Sequence, residues 1–254
     1  MAFALSIVKL AEAMEKPGCM ICRMEHEAAI HALTSLLWES TTDYQSRQMI
    51  NNALGFCPQH LRTFVAIELS KSGPTLGTNL IYESLSKNIA TDLHNIQRKE
   101  QVNRKLRGLL AKLNIHLRYS ETPNVLKSKE PCPACETVNI TGENTFSTLC
   151  EVITKNDEKM VATYEKSDGI CLNHLRIGLT KYMVEFPEAS EFLIQDTVQR
   201  LSDNRENMLE FVRKHNWKYK HEELIEEEKV AWIKTMTFFS GYPGERFDHH
   251  IDKF

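Results

Sequence analysis

Hydrophobic residues along the chain recur mainly at intervals of three and four, which is the spacing of one face of an α-helix. An early run of this kind comprises Ala28, Leu33, Leu36 and Leu37, and a later one comprises Ile81, Leu85, Ile89, Leu93 and Ile96. The C-terminal half contains a similar run made of Phe192, Val198, Leu201, Met208, Leu209 and Val212. Neither sustained strand alternation nor a strand–helix–strand pattern occurs. The pattern therefore predicts an all-α protein.

Glycine and proline mark where these helices begin and end. Gly55 and Gly169 each stand two residues before a cysteine, where a left-handed helix terminus is expected. Pro58 suits the first turn of the helix that follows Cys57. Pro187 marks a further boundary, and residues 121–131 have the composition of a linker.

Cysteine and histidine occur in the same order in both halves of the chain. In each half a Cys-x-x-Cys motif is followed by a Cys-x-x-His motif, and the two copies are offset by 113 residues at the first motif and 114 at the second. The residues of the motifs are Cys19, Cys22, Cys57, His60, Cys132, Cys135, Cys171 and His174. We infer a duplicated fold unit, with one helical repeat at residues 1–128 and a second at residues 129–254.

Three thiolates and one imidazole are the ligands of a closed tetrahedral zinc site. Two side chains three residues apart on a helical first turn share a face, so each motif can supply two ligands. We expect each repeat to hold one zinc ion with its own four residues, closing a loop of 34 residues in the first repeat and 35 in the second. Helices that start at these motifs would direct free backbone N–H groups at the thiolates and lower their pKa. The prediction is two zinc ions per chain.

Two other chemistries use the same cysteines. An iron–sulfur cluster usually takes four cysteines, although histidine replaces cysteine in some clusters. A reactive dithiol at Cys132 and Cys135 would leave the two matched Cys-x-x-His motifs unexplained. The seventh cysteine, Cys150, lies outside any such motif and is predicted to be a small buried side chain.

Composition is that of an ordinary globular protein, with 42% apolar and 26% charged residues. The first 128 residues carry a net charge of +4 and the remainder −7, which does not indicate bulk nucleic-acid binding. Residues 98–118 are basic, but their apolar stripe favours a packed helix over an RNA or membrane surface. The sequence lacks an export signal and a membrane span, so we expect a cytoplasmic protein with reduced cysteines.

Catalytic residues are not identifiable from the sequence. His26 and His31 flank a segment similar to the zinc-protease motif His-Glu-x-x-His, but their spacing of five places them on different helix faces. We interpret them as packing or surface residues, with His26 close enough to Cys22 to support a ligand. His249 and His250 are interpreted as part of a polar tail.

The pattern Gly18-Cys19-x-x-Cys22, Gly55-Phe56-Cys57-Pro58-x-His60-Leu61, Cys132-Pro133-x-Cys135 and Gly169-Ile170-Cys171-x-x-His174-Leu175 resembles an uncharacterised prokaryotic family known only as a domain of unknown function. The likeness covers most of the chain, including Trp232 and Gly241-x-Pro243-Gly244. It implies a bacterial or archaeal cytosolic protein and no particular activity, and an anaerobic source would favour iron–sulfur chemistry.

These observations favour a zinc-stabilised helical accessory or interaction protein with a protein partner. The alternative is an iron–sulfur or thiol-based redox or metal-responsive protein. An enzyme with a pocket between the repeats ranks third, because the sequence shows no acid–base set.

Overall fold

Ten α-helices make up the regular structure of the described residues, which are 2–39, 43–70, 75–111, 126–219 and 221–242 of the computed structural model. In chain order the helices are α1 (Ala2–Met14), α2 (Met20–Glu39), α3 (Tyr44–Asn52), α4 (Pro58–Leu69), α5 (Leu76–Ala111), α6 (Pro133–Thr154), α7 (Glu158–Lys166), α8 (Leu172–Tyr182), α9 (Pro187–Lys214) and α10 (Glu226–Ser240). No strand occurs in these segments. The all-α prediction is confirmed.

The helix boundaries follow the turn residues that the sequence provides. α4 and α9 begin at Pro58 and Pro187, where a missing backbone N–H costs nothing. Gly55 and Gly169 have φ angles of +96° and +77°, a region that side chains with a Cβ rarely adopt, so the predicted left-handed positions are confirmed. α3 and α7 are capped by Asp43 and Asp157.

Two compact units divide the chain, and they differ from the predicted repeats 1–128 and 129–254. The larger unit combines residues 1–28 with residues 138–254, and the smaller unit comprises residues 29–137. The first helix groups with the C-terminal part because its apolar face is buried there, as described next. A duplication of sequence stays a prediction.

Within the described residues, the larger unit has the more extensive core. Leu10 of α1 is buried in one cluster with Leu149 of α6, Tyr164 of α7 and Leu193 of α9. Burial of each such side chain contributes about 1.5–3 kcal/mol, so α1 is held firmly in this unit. The buried face of α9 consists of Ala189, Ser190, Leu193 and Thr197. Val198, Leu209 and Val212, which belong to the predicted apolar stripe of this helix, are exposed.

The smaller unit is built around a smaller hydrophobic cluster. Its buried members are Leu33, Phe64, Cys132 and Ala134, with Leu36, Leu37, Phe56 and others partly buried against them. The rings of Phe56 and Phe64 stack with their centroids 5.0 Å apart. Ile81 of the predicted α5 stripe is buried, whereas Leu93 of the same stripe is exposed.

Of the helices in the described part of the chain, none combines the length and apolar character needed to cross a lipid bilayer. Several predicted features lie outside the described residues: residues 121–125 of the linker, residues 112–118 of the basic segment, Pro243 and Gly244, and the terminal His249 and His250.

Candidate metal centres

All four cysteine motifs lie at helix starts, as the sequence predicts. Cys19 and Cys132 immediately precede α2 and α6, and Cys57 and Cys171 are the N-cap residues of α4 and α8. The last residue of every motif, a cysteine or a histidine, is therefore in the first helical turn, on the same face as the cysteine that begins the motif. Backbone N–H groups of these turns have no partner within the helix and can stabilise a thiolate.

The first cluster consists of Cys19, Cys22, Cys171 and His174. His174 Nδ1 lies 3.6 Å from Cys19 Sγ, 3.4 Å from Cys22 Sγ and 3.2 Å from Cys171 Sγ. The Sγ atoms of Cys22 and Cys171 are 3.7 Å apart. All four residues belong to the larger unit.

The second cluster consists of Cys57, His60, Cys132 and Cys135, all in the smaller unit. His60 Nδ1 lies 3.3 Å from Cys57 Sγ, 3.6 Å from Cys132 Sγ and 3.3 Å from Cys135 Sγ. The Sγ atoms of Cys57 and Cys135 are 3.8 Å apart. The two clusters are thus nearly identical in their internal distances.

The predicted pairing of motifs within each half of the chain is wrong. Each cluster takes its Cys-x-x-Cys motif from one half and its Cys-x-x-His motif from the other. Hydrogen bonds between the segments that lead into the motifs accompany this exchange. The Gly18 N–H donates to Asp168 at 2.8 Å, ahead of Cys19 and Cys171, and the Lys129 N–H donates to the Asn52 carbonyl at 2.8 Å.

Pairing of motifs from different halves lengthens the loops of chain that each metal ion would close. The burial of side chains outweighs the entropy cost of closing these longer loops. The chain between Cys22 and Cys171 has 148 residues, and the chain between His60 and Cys132 has 71, so the second loop is nested inside the first. Relative to loops of 34 and 35 residues, loop closure costs only about 1.3 and about 0.6 kcal/mol more. Burial of Met20 or Ile21 beside the first cluster contributes about 1.5–3 kcal/mol each.

The distances within both clusters fit one tetrahedral ion. With metal–sulfur bonds of about 2.3 Å and metal–nitrogen bonds of about 2.05 Å, sulfur atoms stand about 3.8 Å apart and sulfur–nitrogen pairs about 3.6 Å apart. The ligand atoms of each cluster all lie within 4.8 Å of one another. A disulfide would need an S–S distance of about 2.05 Å, and all the cysteines are free thiols. Each cluster could therefore hold a metal ion.

Charge is unevenly distributed over the first cluster without a metal. Hydrogen bonds from Cys19 and Cys22 hold the pKa of Cys171 far below its usual range, while the Cys22 pKa is raised by the same contact with Cys171. Burial opposes a charge on His174, but hydrogen bonds to Cys171, Cys19 and Glu25 outweigh it and raise the His174 pKa to about 12. Because metal ligands must be deprotonated, binding at this cluster would release protons.

The second cluster divides its charge in a similar way. Burial raises the pKa of the Cys135 thiol to about 12, with the Cys132 charge acting in the same direction. For Cys57, burial is outweighed by hydrogen bonds from the backbone N–H of His60, from Cys135 and from the backbone N–H of Gln59, and its pKa is lowered. The helix start thus stabilises the Cys57 thiolate, as the sequence predicts.

Glu25 contacts the first cluster and is not among the site residues that the sequence predicts. Its Oε1 atom lies 3.1 Å from His174 Nε2, on the side of the ring away from the sulfur atoms. The residue stands one helical turn after Cys22, on the same face, and this spacing is the feature by which the sequence could have revealed it. His26, for which a supporting role beside Cys22 is expected, lies in an edge-to-face arrangement with the Tyr242 ring, with the ring centroids 6.3 Å apart.

Backbone of the C-terminal segment covers the first cluster. A Cβ atom on Gly241 would lie 3.1 Å from Cys22 Sγ and 3.8 Å from Cys171 Sγ, so this glycine passes directly over two sulfur atoms. The Arg23 guanidinium then lies 4.2 Å from the centre of the Tyr242 ring and donates to the Tyr242 hydroxyl at 3.1 Å and to the Pro17 carbonyl at 2.6 Å.

Cys150 and His31 lie outside both clusters. Cys150 is fully buried in the core of the larger unit, in agreement with its interpretation as a small apolar side chain, and His31 is exposed. The larger unit also contains a cavity of about 460 Å³ whose charged lining includes Asp168, Arg200 and Lys234. Lys234 pairs with Asp168 at 3.3 Å and Arg200 with Asp196 at 2.7 Å, so these charges are already neutralised by neighbours.

The fold and these residues define an all-helical protein with two Cys3His clusters. A model described as a family of unknown function (DUF6062) matches residues 1–245, and the chain belongs to this family. The resemblance noted from the Cys/His pattern is therefore confirmed, while a prokaryotic origin stays a prediction. No match is found among curated proteins or among solved structures.

Proposed function

We propose that this protein is a zinc-stabilised helical accessory or interaction protein that holds two zinc ions per chain and acts in the cytoplasm. The ligands of one ion are Cys19, Cys22, Cys171 and His174. Those of the other are Cys57, His60, Cys132 and Cys135. The observation that carries the proposal is the set of interatomic distances, because four protein donors converge on one point in each cluster.

The assignment of zinc follows from ligand type and spacing. Thiolate and imidazole donors in a tetrahedron select zinc among common divalent ions. In an iron–sulfur cluster the ligands bind different iron atoms, so at least some ligand atoms must stand further apart than the edge of a single-ion tetrahedron. Separations below 4.8 Å for every pair favour a single ion in both clusters.

Four protein ligands leave no coordination position for water or substrate, which is typical of a structural zinc ion. Apparent zinc-binding free energies of about 10–16 kcal/mol in small peptides are comparable to the whole stability of a domain. The proposed role of the metal is therefore to fix the starts of α2, α4, α6 and α8.

Native mass spectrometry with elemental analysis tests this proposal. We expect two zinc ions per chain in protein purified without chelators, and a colourless solution. One ion or none in a well-folded chain would contradict it. A brown protein containing iron and sulfide would establish the second candidate.

That second candidate is an iron–sulfur or thiol-based redox or metal-responsive protein. The observation in its favour is the Cys57 thiolate, which has a lowered pKa and lies beside Cys135 in a cluster that is only partly buried. Such a protein would lose metal from the second cluster on mild oxidation, with formation of a disulfide. An enzyme is the third candidate, and the 460 Å³ cavity would be its first place to search.

Interaction with a protein partner is supported by exposed apolar side chains on α10. Met236 and Phe239 are 55% and 59% exposed and lie three residues apart on this helix. We expect Phe239→Glu to abolish capture of the partner from native extract. Val184→Glu, at a position that is 97% exposed in the turn before α9, is the matched control and should leave capture unchanged. Equal capture by both variants would contradict a role for this face.

A further inference from the structure

Glu25 contacts the first cluster from outside the set of four ligands. Its carboxylate is 3.1 Å from His174 Nε2, while Nδ1 of the same ring faces the three sulfur atoms. A histidine that binds a metal through one ring nitrogen carries its proton on the other. A carboxylate placed there fixes the tautomer and ring orientation and makes the ligating nitrogen more basic.

The neighbouring helix leaves room for this carboxylate at one residue. A Cβ atom at Gly142 of α6 would lie 2.2 Å from Glu25 Oε1, which is far inside van der Waals contact. Glycine within a helix costs about 0.5–1 kcal/mol relative to alanine. The chain therefore has an unfavourable residue at the position where any side chain would displace Glu25 from His174.

The space beside the pair is open. A cavity of about 270 Å³ is lined by Glu25 and His174 together with Asn139, Phe146 and Tyr182. The Glu25 side chain is 23% exposed, so removal of its carboxylate would leave a site that water can enter. Replacement of Glu25 should therefore weaken the orientation of His174 without unfolding the surrounding core.

We infer that Glu25 is a positioning residue for the metal of the first cluster, acting through His174, and that the absence of a side chain at Gly142 leaves room for it. This inference rests on metal binding as proposed above. Glu25 binds no metal itself, because His174 separates it from the sulfur atoms. Its contribution is to hold one ligand in the orientation and protonation state that the ion requires.

Four variants of the full chain test the inference: Glu25→Ala, Glu25→Gln, Gly142→Ala and, as a control on the exposed face of the same helix, Glu27→Gln. Zinc affinity is measured for each by competition with a chromophoric chelator. We expect Glu25→Ala and Gly142→Ala to lower the affinity for one of the two zinc ions by about 10- to 100-fold. Glu25→Gln should be intermediate, since an amide oxygen still accepts a hydrogen bond from the Nε2–H group, and Glu27→Gln should match the wild type.

Cobalt substitution supplies a readout that a merely structural role would not change. The visible bands of tetrahedral cobalt report ligand geometry, and we expect them to shift in Glu25→Ala and Gly142→Ala and to return towards the wild type in Glu25→Gln. If the wild type binds two ions and all four variants hold both as tightly, with unchanged bands, the role of Glu25 is wrong. If the wild type binds none, the metal proposal itself fails.

Discussion

The two clusters share one ligand set and one geometry but lie in different surroundings. Among the described residues, the first cluster is part of a core of 17 buried residues in the larger unit, with Gly241 over its sulfur atoms and Glu25 beside its histidine. The second lies beside a hydrophobic cluster that has four buried residues in the part of the chain that the structure describes, one of them its own Cys132. Identical coordination chemistry is therefore combined with unequal support from hydrophobic burial.

The difference indicates how much each unit depends on its metal. Hydrophobic burial of about 1.5–3 kcal/mol per large side chain can hold the larger unit together without an ion. Among the described residues, the hydrophobic cluster of the smaller unit has few such side chains, so a contribution of about 10 kcal/mol from metal binding exceeds what this cluster supplies. We expect metal loss to unfold the smaller unit and only to loosen the larger one.

Cys57→Ser is the change with the largest expected effect. It removes one ligand of the second cluster, and we expect loss of that ion and of most of the roughly 10 kcal/mol that it contributes. Serine at this N-cap position would by itself improve the start of α4 by up to about 1 kcal/mol, so a large destabilisation must come from loss of the metal. Hydrogen exchange should show lost protection throughout α3 and α4.

The control for this change is Cys150→Ser, which should retain both ions because Cys150 lies outside the clusters. Persistence of protected α3 and α4 in Cys57→Ser, with one ion lost, would show that the smaller unit does not need its metal. The expected contrast between the two units would then be wrong.

Cys171→Ser is the matched change in the first cluster, since Cys171 is the N-cap residue of α8 as Cys57 is of α4. We expect native mass spectrometry to show one zinc ion instead of two. Protection from hydrogen exchange should persist in α6, α7 and α9, whose side chains form the larger core, and decrease near the start of α8. Complete loss of protection in this unit would mean that both units depend equally on metal.

Gly241→Ala tests the cover over the first cluster alone. The residue has φ of +78° and ψ of 179°, a conformation that is essentially restricted to glycine, and its new Cβ would lie 3.1 Å from Cys22 Sγ. We expect the free energy of unfolding of the larger unit to fall by about 1–3 kcal/mol. One of the two zinc ions should also be released to a chelator faster than in the wild type. Release of the second ion at the wild-type rate is the internal control, and acceleration of both would contradict a local effect.

Much of this arrangement was predictable from the sequence. Helical spacing, Pro58, Gly55 and Gly169 placed the motifs at helix starts, because these features depend on residues close to one another along the chain. The pairing of Cys19 and Cys22 with Cys171 and His174 was not predictable, since both Cys-x-x-His motifs offer the same atoms. The choice is made by burial of α1 and by the Gly18–Asp168 hydrogen bond, which join residues about 150 positions apart.

The smallest expected effect is the pH dependence of stability that the Cys150 thiol causes. It concerns the larger unit alone. Burial, together with the charge of Glu185, raises the pKa of the Cys150 thiol to about 12, whereas a thiol in an unfolded chain titrates near about 8.5. The folded state thus binds this proton more tightly, so its contribution to stability is complete below about pH 8.5 and is lost as pH rises towards 12. Between about pH 8 and pH 10 the loss should be about 1–2 kcal/mol.

In Cys150→Ala this pH-dependent loss should be absent, although the variant starts from a lower stability at about pH 8 because a buried sulfur atom is removed. Urea unfolding at about pH 8, 9 and 10 measures the stability of both proteins. Both carry Trp38→Phe, so that the remaining tryptophans, Trp217 and Trp232, report the larger unit by their fluorescence. The other six cysteines belong to the clusters, where bound metal would suppress their protonation, so the difference between the two proteins reports the core thiol. If stability falls with pH equally in the proteins with and without Cys150, the Cys150 thiol does not ionise on unfolding in this pH range. Burial of this thiol in the larger core would then have no effect on the pH dependence of stability.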